Sequence, residues 1–176
     1  MQYIALLRWI NVGGNKKVEM KKVRELFQVA WYSKVSTYLN SGNILFESTK
    51  KSLVIQKEIE SLLEREFGFK IQTLVKTKQE IHEIVSALPK NWENDDKQKS
   101  DIAFLFPEID SAKTIDMLPI KKEYVDIYYV PGAIYRNIDR KNYNKSQLNK
   151  IAGNKVYQYM TVRNINTARA LATKKR

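Results

Sequence analysis

Apolar residues recur in two rhythms through the first half of the chain, and the switches between them outline a folding unit. Gln2 to Arg8 is a nearly continuous apolar run with strand character, closed by Asn11-Val12-Gly13-Gly14-Asn15. Glycine and asparagine reach positive φ at little cost, so this segment reads as a loop. Val18, Val23, Leu26, Phe27 and Ala30 then recur as one face of a helix over about 18–30, with Lys21, Lys22 and Glu25 outside it. Val35, Tyr38 and Leu39 mark a short strand, Asn40-Ser41-Gly42-Asn43 a tight turn, and Ile44-Leu45-Phe46 the returning strand. A second helix over about 53–66 carries Ile55, Ile59, Leu62, Leu63 and Phe67 on one face. Ser52 is its expected cap and Gly68 its left-handed terminator. Lys70 to Lys76 reads as a strand. A third helix over about 78–88 presents Ile81, Ile84, Val85 and Leu88 and stops before Pro89. The order is β-α-β-β-α-β plus one helix, which predicts an α+β protein with a ferredoxin-like split unit in residues 1–88.

Residues 90–100 are polar apart from Trp92, and 89–100 reads as a linker. Beyond them the same order returns without any repeat of the sequence itself. Ile102 to Phe106 is a strand and Ser111 to Leu118 a short helix. Tyr124 to Val130 and Ala133 to Asn137 form a hairpin around Pro131-Gly132, where proline presets one turn position and glycine takes the positive φ of the next. Lys145 to Ala152 reads as a helix stopped by Gly153, Val156 to Val162 as a strand, and Ile165 to Thr173 as a final helix. Residues 101–176 are thus expected to form a second α+β half.

The topology places loops as well as strands. In a split β-α-β the first two strands run parallel, so both end at one edge of the sheet. The loop after the first strand and the hairpin after the second then share a rim. That rim carries Asn11, Gly13, Gly14, Asn40, Ser41, Gly42 and Asn43, with Arg8 at the end of its strand. Backbone N–H groups near an arginine suit an anion or small ligand. Gly13-Gly14-Asn15-Lys16 is not a phosphate-binding P-loop, for it lacks the leading glycine and the Lys-Ser/Thr pair. Nor does the half match an RNA-recognition domain. Tyr3 stands on the first strand, but Asn43 falls where the second stacking aromatic belongs.

Composition narrows the chemistry. A hydrophobic fraction of 43% supports a real core. With no cysteine there is no disulfide, thiolate nucleophile or cysteine-ligated metal. The single histidine, His82, sits among Glu80, Ile81 and Glu83 and reads as a surface residue. Asp95-Asp96 falls in the linker, where solvated carboxylates are expected. No residue set specifies a reaction, so no catalytic residue, metal ligand or cofactor is assigned. The chain has no membrane-length apolar run and no signal-peptide pattern, which predicts a cytoplasmic protein without membrane contact.

Charge is distributed unevenly. Of the net +12, residues 1–130 contribute +2 and residues 131–176 contribute +10. Such asymmetry points to a polyanionic partner. Tyr135, Arg136, Arg140, Lys141, Tyr143, Lys145, Lys150, Lys155, Tyr157, Tyr159, Arg163 and Arg169 interleave cations with aromatics, the combination nucleic acid needs for phosphate neutralisation and base stacking. Arg136, Arg140, Lys141, Lys145 and Lys150 are the strongest nucleic-acid candidates.

Three stretches carry a family resemblance. Tyr3-Ile4-Ala5-Leu6-Leu7-Arg8-Trp9-Ile10-Asn11-Val12-Gly13-Gly14-Asn15, Thr37-Tyr38-Leu39-Asn40-Ser41-Gly42-Asn43 and Thr161-Val162-Arg163-Asn164-Ile165-Asn166-Thr167 resemble, in order, three motifs of the bacterial domain-of-unknown-function 1697 family. The chain departs at Trp9, where relatives usually carry glycine, and at Glu19, where proline is common. The resemblance implies an α+β fold built on ferredoxin-like units and no particular activity. It adds Arg163, Asn164, Asn166 and Thr167 to the candidates, at a strand-to-helix junction where Asn164 is placed to cap the helix. Two functions are expected in order: a binding module for an anionic partner, nucleic acid or nucleotide, and then a small-molecule enzyme or sensor sited on the Gly/Asn-rich rim.

Overall fold

The computed structural model describes residues 1–11 and 17–174, and it divides into two compact units, Met1–Ile81 and His82–Arg176. None of its described helices is long and apolar enough to cross a membrane.

The first unit runs β1 (Gln2–Leu7), α1 (Met20–Val29), β2 (Ser33–Tyr38), β3 (Asn43–Glu47), α2 (Ser52–Phe67) and β4 (Thr73–Thr77), with α3 (Lys78–Ser86) starting directly behind it. Its sheet is antiparallel in the order β2-β3-β1-β4. Since β1 and β2 both pair antiparallel to β3, they run parallel to each other, as the crossover through α1 requires. Tyr3, Ala5 and Leu7 of β1 join Ile44, Phe46 and Val75 under Val23 and Phe27 of α1 and Ile55, Ile59 and Leu63 of α2. Ile4 and Leu6, on the other side of the pleat, are also fully buried. Burial on both faces explains why β1 reads as a continuous apolar run rather than an alternation.

Helix ends differ from their reading in one place. Ser52 is the first residue of α2 and does not cap it. Lys51 occupies the cap position with no side-chain bond, and its carbonyl accepts from the N–H groups of Val54 and Ile55 at 3.0 and 3.1 Å. Gly68 closes α2 in the left-handed region at φ 74°, as its position predicts. The abrupt passage from β4 to α3 rests on a reciprocal cap. Glu80 N donates to Thr77 Oγ1 at 3.1 Å while Thr77 N donates to Glu80 Oε2 at 2.7 Å.

The second unit repeats the strand order. β5 (Gln98–Leu105), β6 (Asp126–Val130), β7 (Ala133–Asp139) and β8 (Met160–Asn164) form an antiparallel sheet in the order β6-β7-β5-β8, followed by α4 (Ile165–Thr173). The hairpin turns on Pro131-Gly132 with Gly132 at φ 85°, as expected. The crossovers do not follow the sequence reading. Between β5 and β6 lie the 3-10 turns Pro107–Ile109, Ala112–Met117 and Lys122–Tyr124. Between β7 and β8 lie Arg140–Asn142, Leu148–Gly153 and Lys155–Tyr159.

The helix read over 145–152 is thus only a 3-10 turn, because Gln147 takes φ 62° and breaks any continuous α-helix there. The strand read over 156–162 begins at Met160, because Asn154 turns the preceding residues into a 3-10 helix by accepting from Val156 N at 2.9 Å. Asparagine competes for backbone bonds in this way and favours turns over α-helix.

The polar stretch ahead of β5 is held against this unit. Trp92 is buried and stacked on Tyr128. Arg169 of α4 donates to Trp92 O at 2.8 Å. Asp95 accepts from Lys97 N and Gln98 N, bonds that keep its carboxyl below the usual range and turn the chain into β5.

Candidate functional site

The two rim loops of the first unit meet through one side chain. Asn11 Nδ2 donates to Val18 O at 2.9 Å and to Asn40 O at 2.8 Å, while its Oδ1 accepts from Val18 N at 2.8 Å. Asn43 is fully buried and donates to Tyr38 O and Ser41 Oγ, which fixes the hairpin. Gly42 accepts from Leu7 N through its carbonyl at 2.8 Å. Arg8 donates to Gln72 Oε1 at 3.4 Å and stands 5.5 Å from the Trp9 ring. Gly13 and Gly14 lie outside the described residues. Trp9, Asn11 and Leu39 all adopt the left-handed conformation, at φ 56°, 55° and 57°. Glycine takes that conformation without strain, whereas the Cβ of Trp9 and of Leu39 incurs it. Beside the clasp lies an open depression of about 650 Å³ lined by Lys17, Val18, Glu19, Met20 and Phe67 together with Asn11 and Asn40.

A strongly polar concavity belongs to the second unit. Register sets Asn164, Asp101 and Arg136 in a row across β8, β5 and β7, all on one face of the sheet. Lys99 shares that face two residues earlier on β5. The segment 140–153 rises beside them and contributes Arg140, Tyr143, Leu148, Asn149, Ile151 and Ala152. These residues, with Asn94, Tyr157 and Val162, enclose a cleft of about 440 Å³.

Its charges are held in place. Arg136 Nη2 donates to Asp101 Oδ2 at 3.2 Å with both side chains nearly buried. Arg136 Nε is also buried, and no described residue accepts from it. Arg140 Nε donates to Asp95 O, and its Nη2 reaches Asn94 Oδ1 at 3.5 Å. Lys99 Nζ lies 5.2 Å from the centroid of the Tyr143 ring. Three cations therefore surround the cleft against the single carboxylate of Asp101.

The third motif splits between the two faces. Asn164 lines the cleft and caps α4, its Oδ1 accepting from Thr167 N at 2.8 Å. Arg163 pairs with Ile102 and so points to the opposite face. There its Nη1 donates to Thr161 Oγ1 and Val162 O, both at 2.9 Å. Burial pushes its guanidinium pKa down to about 10, with a smaller upward pull from Tyr157. Asn166 donates to Asn94 O at 3.3 Å, steadying a residue that lines the cleft. Of the basic candidates, Arg136 and Arg140 line the cleft. Lys141, Lys145 and Lys150 do not; they are exposed along the segment that forms its wall, and Lys141 pairs with Asp139 at 3.3 Å.

Sequence reading missed Asn94, Lys99, Asp101 and Asn149. The available signal was the alternation Lys99-x-Asp101-x-Ala103-x-Leu105, polar at one end and apolar at the other along a single strand face.

Comparison with known proteins adds three findings. A comparison with curated proteins gives no match. The solved structure of a conserved bacterial protein from Streptococcus pneumoniae is similar, with a TM-score of 0.81 at 25% identity over 97% of this chain and 96% of that one. A model of the family described as "Protein of unknown function (DUF1697)" matches residues 1–135. The match spans the first two motifs and most of both sheets, so the chain belongs to the DUF1697 family.

Proposed function

We propose that the second unit is a binding module for a small phosphorylated anion, taken up in the cleft of Lys99, Arg136 and Arg140. The observation that carries this reading is the three-to-one excess of cations over carboxylates around a concave space of about 440 Å³. That volume falls within the range of small-molecule sites, and concave walls strengthen each charge by excluding water. The net +10 of residues 131–176 adds a field that draws anions toward this end of the chain. A cytoplasmic setting, where phosphorylated metabolites are found, is part of the same proposal.

Calorimetric titration with inorganic phosphate and pyrophosphate at low salt tests it. Both are expected to bind, pyrophosphate the more tightly, and Arg140→Ala with Lys99→Ala is expected to weaken both at least tenfold. Absence of binding, or binding untouched by the double variant, overturns the reading.

One observation favours nucleic acid instead: Lys141, Lys145 and Lys150 are exposed cations on the segment that also contributes residues to the cleft. That partner would lose affinity steeply with salt, a slope of about −0.7 per phosphate contacted on a single strand. It would also respond to Lys145→Ala and Lys150→Ala, which leave the cleft intact.

A further inference from the structure

Asp101 is the anomaly of the cleft. A carboxylate on the floor of an anion site repels the anion and is costly to bury, so its presence calls for a second duty. Part of that duty is internal, since Oδ2 accepts from Arg136. No described residue donates to Oδ1, which leaves an acceptor on the cleft floor without a protein partner. Around it stand Asn94, Asn149 and Asn164, whose amides both donate and accept. The tyrosines offer little room for a nucleobase. Lys99 lies over the Tyr143 ring, and Tyr157 packs against the two apolar clusters that continue the cleft's own face of the sheet. Three cations, an acceptor carboxylate beside one of them and several asparagine amides lining the same cleft suit a ligand that carries both a phosphate and several hydroxyls.

We infer that the cleft takes a sugar phosphate, its phosphate held by Lys99, Arg136 and Arg140 and its hydroxyls donating to Asp101. The inference rests on the anion reading above and goes beyond it by assigning the non-phosphate part of the ligand. Hydroxyl donors satisfy the free carboxylate oxygen without adding charge, and the asparagine amides take up the remaining lone pairs and protons.

The test compares ethyl phosphate, which has the charge without the hydroxyls, with ribose 5-phosphate and glucose 6-phosphate on the full chain by calorimetry. At least one sugar phosphate is expected to bind tenfold or more tightly than ethyl phosphate. Asp101→Asn is expected to abolish that advantage while ethyl phosphate binds as well or better, because a negative charge has been removed. Should Asp101→Asn fail to fold, Asn149→Ala is expected to reduce the sugar-phosphate advantage with ethyl phosphate unchanged. If both sugar phosphates bind no better than ethyl phosphate, the sugar assignment is overturned and the anion site stands. If none of the three binds, the anion reading itself is overturned.

Discussion

Alanine at Gly42 is expected to destabilise the first unit far more than alanine at Gly68, although both glycines hold the same backbone conformation. Gly42 has φ +79° and Gly68 φ +74°, so each substitution incurs the left-handed strain of about 1 kcal/mol that a Cβ brings. The surroundings differ. A Cβ at Gly68 meets nothing within 4 Å, whereas one at Gly42 falls 2.7 Å from Leu7 Cβ and 2.9 Å from Ile10 Cδ1. Leu7 cannot retreat, because β1 is paired to β3 on one side and β4 on the other. Forcing a methyl into so constrained a site adds about 1–3 kcal/mol of overpacking. The totals are therefore about 1 kcal/mol for Gly68→Ala and about 2–4 kcal/mol for Gly42→Ala. Urea unfolding followed by circular dichroism measures both, with the midpoint shift read at unchanged slope. Equal losses for the two variants would refute the steric account and leave φ strain as the whole effect.

Two further outcomes follow from local geometry. Trp31 closes α1: its N–H donates to Gln28 O and that of Tyr32 to Phe27 O, the pattern in which glycine normally takes the left-handed position. Trp31 holds that position at φ 65° with 94% of its surface exposed. Trp31→Gly is expected to stabilise the protein by about 0.5–1 kcal/mol, the relief of strain minus the extra freedom of the unfolded chain, and a lower urea midpoint would contradict this. Tyr135 is buried, its hydroxyl donating to Ile84 O, and burial pushes its pKa from 10.0 up to about 12. Its raised pKa contributes stability that is complete below about pH 10 and lost as pH rises toward 12; Tyr135→Phe is expected to remove that part of the alkaline loss in a pH series of urea unfolding curves.

Much of the first unit was legible because its signals are local. Val23 and Phe27, Ile55, Ile59 and Leu63 mark helix faces by spacing, and Gly68 and Pro131-Gly132 mark turns by residue type. The convergence of the rim loops was legible too, since the handedness of the crossover dictates it. Three features escaped. Trp9, Trp31, Lys34, Leu39 and Gln147 adopt positive φ with side chains that give no hint of it, since none is the glycine, asparagine or aspartate that usually marks such a position. The crossovers of the second unit look helical in spacing, yet Gln147 and Asn154 divert them into 3-10 turns. The cleft depends on β5, β7 and β8 lying side by side. Asp101, Arg136 and Asn164 stand far apart in the chain, and only the register makes them neighbours.

All three partners of the Asn11 side chain are main-chain atoms, those of Val18 and Asn40. The clasp itself reads no side chain at residues 18 and 40, so exposed position 40 is open to change, whereas Val18 is constrained separately by its place in the apolar core. Asn11 itself has no substitute. Aspartate of the same length lacks the two donated protons, and glutamine places its amide one methylene too far out. Tolerance at position 40 and intolerance at position 11 is a pattern that saturation mutagenesis of the rim would read directly.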